Sequence, residues 1–205
     1  MQAGVAVKHS CLWFLTSCCL LWIAHPASAQ RGARVVSRDL SQLVEEAAVI
    51  VRGHVATAKV EPHPELTHLW TVVVTLRVQE TFKGQVGETL QFRQYLWDLR
   101  DRQDAAGYGK GQEVVLFLTA PSRYGLSSPA GLEQGRFRIT RDSQGNRHAL
   151  NGRGNAGLFR QLKPQLERRR ITLPPRLSQL AVEQRAGPLA LDDLREMVRL
   201  IAGGK

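Results

Sequence analysis

The stretch WTVVVTLRVQETFKG, residues 70–84, decides the fold. Val72, Val74, Leu76 and Val78 share one parity, while Thr71, Thr75, Arg77 and Gln79 take the other. Alternation of this kind specifies a strand with one apolar and one wet face. Glu80 interrupts the apolar parity, Phe82 resumes it, and Lys83 and Gly84 turn the chain.

Upstream, Val49, Val51 and Val55 fall on one parity of a second strand over 47–60. Gly53 stands among them where a bend or bulge would let the strand coil. Ser37 is a candidate N-cap for a short helix over 38–46, in which Leu40, Leu43 and Val44 are helically spaced. Glu45 and Glu46 at its far end oppose the helix dipole. Downstream, Thr89 to Gln94 alternates as a third strand, and Trp97 to Gly111 reads as a long exposed loop. Val114 to Leu118 (VVLFL) is apolar on both parities, as a strand covered on both faces must be. Gly135 to Thr140 and Arg147 to Leu150 form a hairpin around the polar turn 142–146.

Six strands in antiparallel-compatible order, with no βαβ rhythm, predict a mainly β (β+α) chain. The expected form is an OB-like antiparallel β-barrel over residues 30–150 with a short N-terminal helix. Residues 151–205 then read as a glycine turn, a basic linker and a C-terminal helical appendage. Leu158, Phe159 and Leu162 begin a helical signal that Pro164 is expected to interrupt, and 167–175 reads as linker. In the last segment Leu191, Leu194, Val198 and Ile201 form an apolar stripe, with Asp192 and Asp193 in the first turn. This helix is expected to pack on the barrel.

Residues 1–29 read as an export signal: Lys8, the apolar run 12–24, Pro26, and the small-x-small Ala27-Ser28-Ala29. Cleavage after Ala29 would place the protein in the periplasm or outside the cell, with no transmembrane segment remaining. All three cysteines, Cys11, Cys18 and Cys19, lie in that signal, so disulfides, thiolate metal sites and cysteine nucleophiles are excluded together for the remainder. The 28 basic against 18 acidic residues give a formal charge of +10. Basic exported proteins meet anionic partners such as headgroups, cell-wall polymers or acidic proteins. Here the cations are scattered along the chain, as on a solvated surface.

Three motifs recur in order: E-x-A-x-V-I-V-x-G-x-V (45–55), T-V-V-V-T-L-R-V-x-E-x-F-K-G (71–84) and G-x-E-V-V-L-F-L (111–118), followed by G-L-x-Q-G-R-F-R-I (131–139). This order resembles a group of small exported bacterial proteins with an OB-fold-like barrel. More distantly it is similar to netrin-like domains, including tissue inhibitors of metalloproteinases. Those inhibitors bind the protease zinc through an N-terminal cysteine. This chain has no cysteine after residue 19, so the resemblance implies fold and does not carry that mechanism over.

Several constellations contain residue types that chemistry uses. Gly152 to Gly157 spells G-x-G-x-x-G, but a dinucleotide site needs a parallel strand before it and a sound helix after it, so no nucleotide cofactor is expected. His63 and His68 with Glu61 and Glu65 offer metal-ligand types, yet Pro62 and Pro64 prevent a helix that would align them. His54 and His148 read as strand residues with satisfied rings. Asp98, Asp101 and Asp104 alternate with Arg100 and Arg102 and lack calcium-loop spacing. There is no G-x-S-x-G, and the adjacent pairs Glu45/Glu46 and Asp192/Asp193 cannot face one another. No catalytic, cofactor or metal residue is assigned. A basic OB-like chain with Phe92, Tyr95, Trp97 and Tyr108 near a loop invites a nucleic-acid reading, which the export signal opposes; Phe92 reads as core, and Trp97 and Tyr108 are kept as contact residues.

The expected function is therefore a non-enzymatic exported binding or interaction protein whose partner is a protein or an anionic envelope component. The candidate contact loop carries Tyr95, Trp97, Arg100, Arg102 and Tyr108, a mixture of aromatic anchors and arginine. The alternatives are an inhibitor-like protein acting through loops and an envelope hydrolase with an unrecognised site.

Overall fold

The computed structural model describes residues 36–204. The expected export signal lies outside the described residues. Among those described, no helix is long and apolar enough to cross a membrane.

The chain begins with helix α1 (Leu40–Glu46). Its cap is Asp39 and not Ser37: Asp39 Oδ1 accepts from Gln42 N at 3.0 Å, and Gln42 Oε1 accepts from Asp39 N at 3.0 Å. This reciprocal capping box satisfies two otherwise unpaired donors. At the other end Lys83 Nζ donates to Val44 O at 2.6 Å, supplying the positive charge that Glu45 and Glu46 deny the helix C-terminus.

Seven antiparallel strands come next: β1 (Val49–Pro62), β2 (Trp70–Lys83), β3 (Thr89–Tyr95), β4 (Glu113–Leu118), β5 (Arg136–Arg141), β6 (Arg147–Asn151) and the two-residue β7 (Leu189–Ala190). All six expected strands form. Their order is β3-β2-β1-β4-β5-β6-β7, with β3 and β7 as the two edges. The sheet stays open, so the closed barrel expected from the sequence is corrected to an antiparallel sheet with helices.

Bulges bend the sheet. Gln79 has no partner between the pairs Gly53↔Val78 and Arg52↔Glu80; Phe82 and Ala56 are skipped in the same way. Beyond each skipped residue, the side chains of that strand exchange faces. This explains the interruption at Glu80. Val72, Val74, Leu76 and Val78 point into one core, whereas Glu80 and Phe82 turn to the opposite face, so Phe82 does not resume the earlier parity as expected. Gly53 stands at this crossing because a Cβ there would lie 2.3 Å from Arg77 O.

The sheet therefore has two apolar faces, each with its own core. On one, α1 and the C-terminal helices pack over Ile50, Val115, Phe117 and Phe137. On the other, Val51, Val55, Val72, Val74, Leu76, Val114 and Leu116 pack together as a second core. β4 supplies alternate residues to both, which is why VVLFL carries no polar parity.

The C-terminal segment is more ordered than a linker. Helix α3 (Leu162–Arg168) carries Pro164 as its third residue, where a missing N–H removes no helical bond, so Pro164 does not interrupt it. Helix α4 (Pro175–Glu183) starts on a proline at its first position. Helix α5 (Leu191–Gly203) buries Leu191, Leu194, Met197, Val198 and Ile201 against the sheet, the packing its stripe predicts. Gly152 to Gly157 forms consecutive turns after an antiparallel strand, not the strand-to-helix junction a dinucleotide needs. Its Asn155 and the preceding Asn151 bond each other's backbone N–H reciprocally, at 3.0 and 2.8 Å, and both are buried.

Candidate functional site

The segment between β3 and β4 is the candidate site, and it has structure of its own. Asp98 caps the short helix α2 (Leu99–Gln103), accepting from Arg100 N at 2.9 Å. A 3-10 turn, Ala105–Gly107, comes after it. Ala105, Ala106 and Gly107 all have positive φ, at 52°, 55° and 72°, a conformation that costs energy at the two alanines.

That turn is held from below. Arg136, 3% exposed, donates to Ala106 O at 2.5 Å and to Glu133 Oε2 at 2.7 Å. The same guanidinium lies 4.4 Å above the Tyr108 ring. Tyr108 itself is buried against Phe92, edge to face at 5.8 Å, and donates its hydroxyl proton to Gln94 Oε1 at 3.0 Å. Burial pushes its phenol up to about 12, so it stays protonated. With Leu96, Ala105 and Ala106 it packs against the second core. The Ala105–Tyr108 part of the loop thus packs on the core, while Trp97, Asp98, Arg100, Gln103 and Asp104 stay exposed.

The five candidate residues separate accordingly. Tyr108 belongs to the core and is withdrawn from the contact surface. Arg102 stacks over the Trp70 ring at 3.6 Å, a cation–π contact that seats α2 on β2. Tyr95 and Trp97 come together edge to face at 5.0 Å. Trp97 remains 69% exposed. Arg100, its side chain 88% exposed, pairs with Asp98 at 2.9 Å. What survives is the Tyr95–Trp97 pair, with the exposed Arg100 on the capped helix that follows it.

His63 and His148 are engaged in structural bonds. His63 is buried; its Nε2–H donates to Tyr124 O at 2.8 Å while Nδ1 accepts from Glu65 N and Leu66 N at 3.2 and 3.0 Å. With both ring nitrogens engaged, it organises the β1–β2 turn. Replacing it with phenylalanine is expected to cost about 1–2 kcal/mol, the penalty for stranding its partners, read from urea unfolding. His148 reaches Asp142 Oδ2 at 3.0 Å. That bond, with those from Asn146 and Gln144, holds the Asp142 carboxyl down to about 2 and closes the β5–β6 turn. Among the described residues no group of three or more His, Cys, Asp or Glu is placed to hold a metal.

Sequence reasoning missed two features. Trp70, Arg136 and Glu133 support the loop from distant positions that carry no local signal. A groove of about 440 Å³ between α3 and α4 arises where a linker was expected. No protein-family model, curated protein or solved structure matches this chain.

Proposed function

We propose that this chain is an exported, non-enzymatic binding protein that engages a protein partner through Tyr95, Trp97 and Arg100. The curled strands β1 to β4 are the part we read as OB-like, on the order of their motifs. The observation that carries the binding reading is Trp97: a large apolar side chain, 69% exposed, braced by Tyr95 and rooted beside a capped helix. Rigid exposed aromatics with a neighbouring arginine are the residue types that dominate protein interfaces. The segment 95–111 has three acidic and three basic residues, so its charges balance and no polyanion is favoured there.

A non-enzymatic reading accords with how the sheet's carboxylates are placed. Glu80, Glu113 and Glu61 are each ion-paired to arginine. Trp97→Ala is expected to weaken a partner captured from the cell envelope at least roughly tenfold. Its thermal midpoint should match wild type, because the side chain buries little. Retention of the same partner at wild-type strength by Trp97→Ala would remove the basis of the proposal.

A further inference from the structure

The groove between α3 and α4 combines apolar walls with cations. Leu162 and Leu166 of α3 form one wall, Ala181 and Val182 of α4 the other, and Ile171 and Leu173 of the connecting turn lie between them. Val182 is 60% exposed, an apolar side chain left facing water at the lip. The volume, about 440 Å³, falls in the range of small-molecule sites.

Charge is the second observation. Arg160, Lys163 and Arg185 also line the groove, with Glu167 as the single carboxylate among them. All three cations are exposed, and among the described residues no ion pair involves them. By contrast Arg176, also on α4, pairs with Asp193 and Glu196. An apolar trough with unpaired cations around it complements a ligand with an apolar body and one anionic end.

We propose that this groove binds a free long-chain fatty acid, its alkyl chain laid between α3 and α4 and its carboxylate met by Arg160, Lys163 and Arg185. This is independent of the Trp97 surface, which lies on the β3–β4 connection. The alkyl chain would cover the exposed Val182, and removing apolar surface from water is favourable. The cations select the head group and exclude a cationic amphiphile of equal length.

The test uses a dansyl-labelled undecanoic acid as a fluorescent probe, titrated into the full chain. Saturable one-to-one binding is expected, with displacement by laurate at least tenfold better than by dodecyltrimethylammonium. Ser178→Trp, at an exposed position lining the groove, should abolish binding by filling it. The exposed double change Lys163→Glu and Arg185→Glu should weaken it at least tenfold, with circular dichroism and thermal midpoint unchanged. If Ser178→Trp fails to fold, the double variant decides the matter alone. Absence of saturable binding, equal displacement by the two amphiphiles, or wild-type affinity in the folded variants each overturns the proposal. So does a concentration-dependent dimer dispersed by Val182→Asp, which would show a second copy of the chain to be the occupant.

Discussion

Gly53→Ala is expected to lower stability by about 3 kcal/mol, at the upper end of what overpacking costs. A Cβ at this position would stand 2.3 Å from Arg77 O and 3.2 Å from Val78 Cα, all of it backbone that no rotamer change can move. The strand pair must part, and it must part at the bulge where β1 and β2 exchange faces. Both cores depend on that crossing, because Val78 before it and Phe82 after it pack on opposite sides. For a chain of this size the loss corresponds to a fall of about 6–12 °C in thermal midpoint. Gly109→Ala is the matched control, since nothing lies within 4 Å of its Cβ position. A Gly53→Ala protein that melts with wild type would mean that the two strands do not approach as described.

Glu80→Gln is expected to cost about 2 kcal/mol, less than a fully buried pair because the site is partly open to solvent. Its carboxylate, 13% exposed, pairs with Arg52 at 3.3 Å and Arg195 at 2.8 Å, and Arg199 also bonds it. It ties the last helix to the central strands. Burial opposes ionisation of Glu80, but the hydrogen bonds and charges of Arg195 and Arg199 outweigh it, and the carboxyl is held below its ordinary value of 4.5. A lowered folded-state pKa means the stabilisation is fully present above 4.5 and is lost as pH falls through the folded value. The difference between wild type and Glu80→Gln in urea unfolding should therefore be constant from pH 7 to pH 5 and shrink below pH 4.5. A difference that persists unchanged to pH 3 would show that the carboxylate charge is not its source.

The parts of this fold legible in the sequence are those whose residues repeat with a period. β2 announces itself through Val72, Val74 and Leu76, and α5 through Leu191, Leu194, Val198 and Ile201, because each buries one face and the alternation survives in the letters. The bulges are not legible. Glu80 breaks the pattern visibly, but only the pairing with β1 shows that the strand has turned over. The loop's packing on the second core is illegible for a different reason: Leu96, Ala105, Ala106 and Tyr108 reach that core through left-handed turns that follow no period. Tyr108 therefore looks like a surface aromatic beside Gly107 and Gly109, and only Arg136 and Phe92 reveal it as core. Openness of the sheet was hidden too, since strand count and order alone do not say whether edges meet.

Trp97 and Tyr95 keep their standing as candidates because an exposed tryptophan needs no long-range information to be noticed. The groove had no such signal. It depends on Pro164 and Pro175 being accepted inside helices, and a proline in a basic stretch reads first as a break.

One arrangement bears on how the chain acquires its structure. Gln165 Nε2 donates to Asp39 Oδ2 at 2.6 Å across 126 positions of sequence, and Arg195 and Arg199 reach Glu80 across 115 and 119. The first helix and the central strands are completed only by residues near the far end. Contacts this distant are slow to form, because the ends of a long loop must be brought together before any of them counts. β1 and β2 are joined by a short connection and can pair early, yet Ile50, Val115 and Phe117 share a core with α5 that is complete only once that helix packs. The described fold is thus completed by its most distant contacts, and docking of the thirteen-residue helix α5 is expected to be a late step of folding.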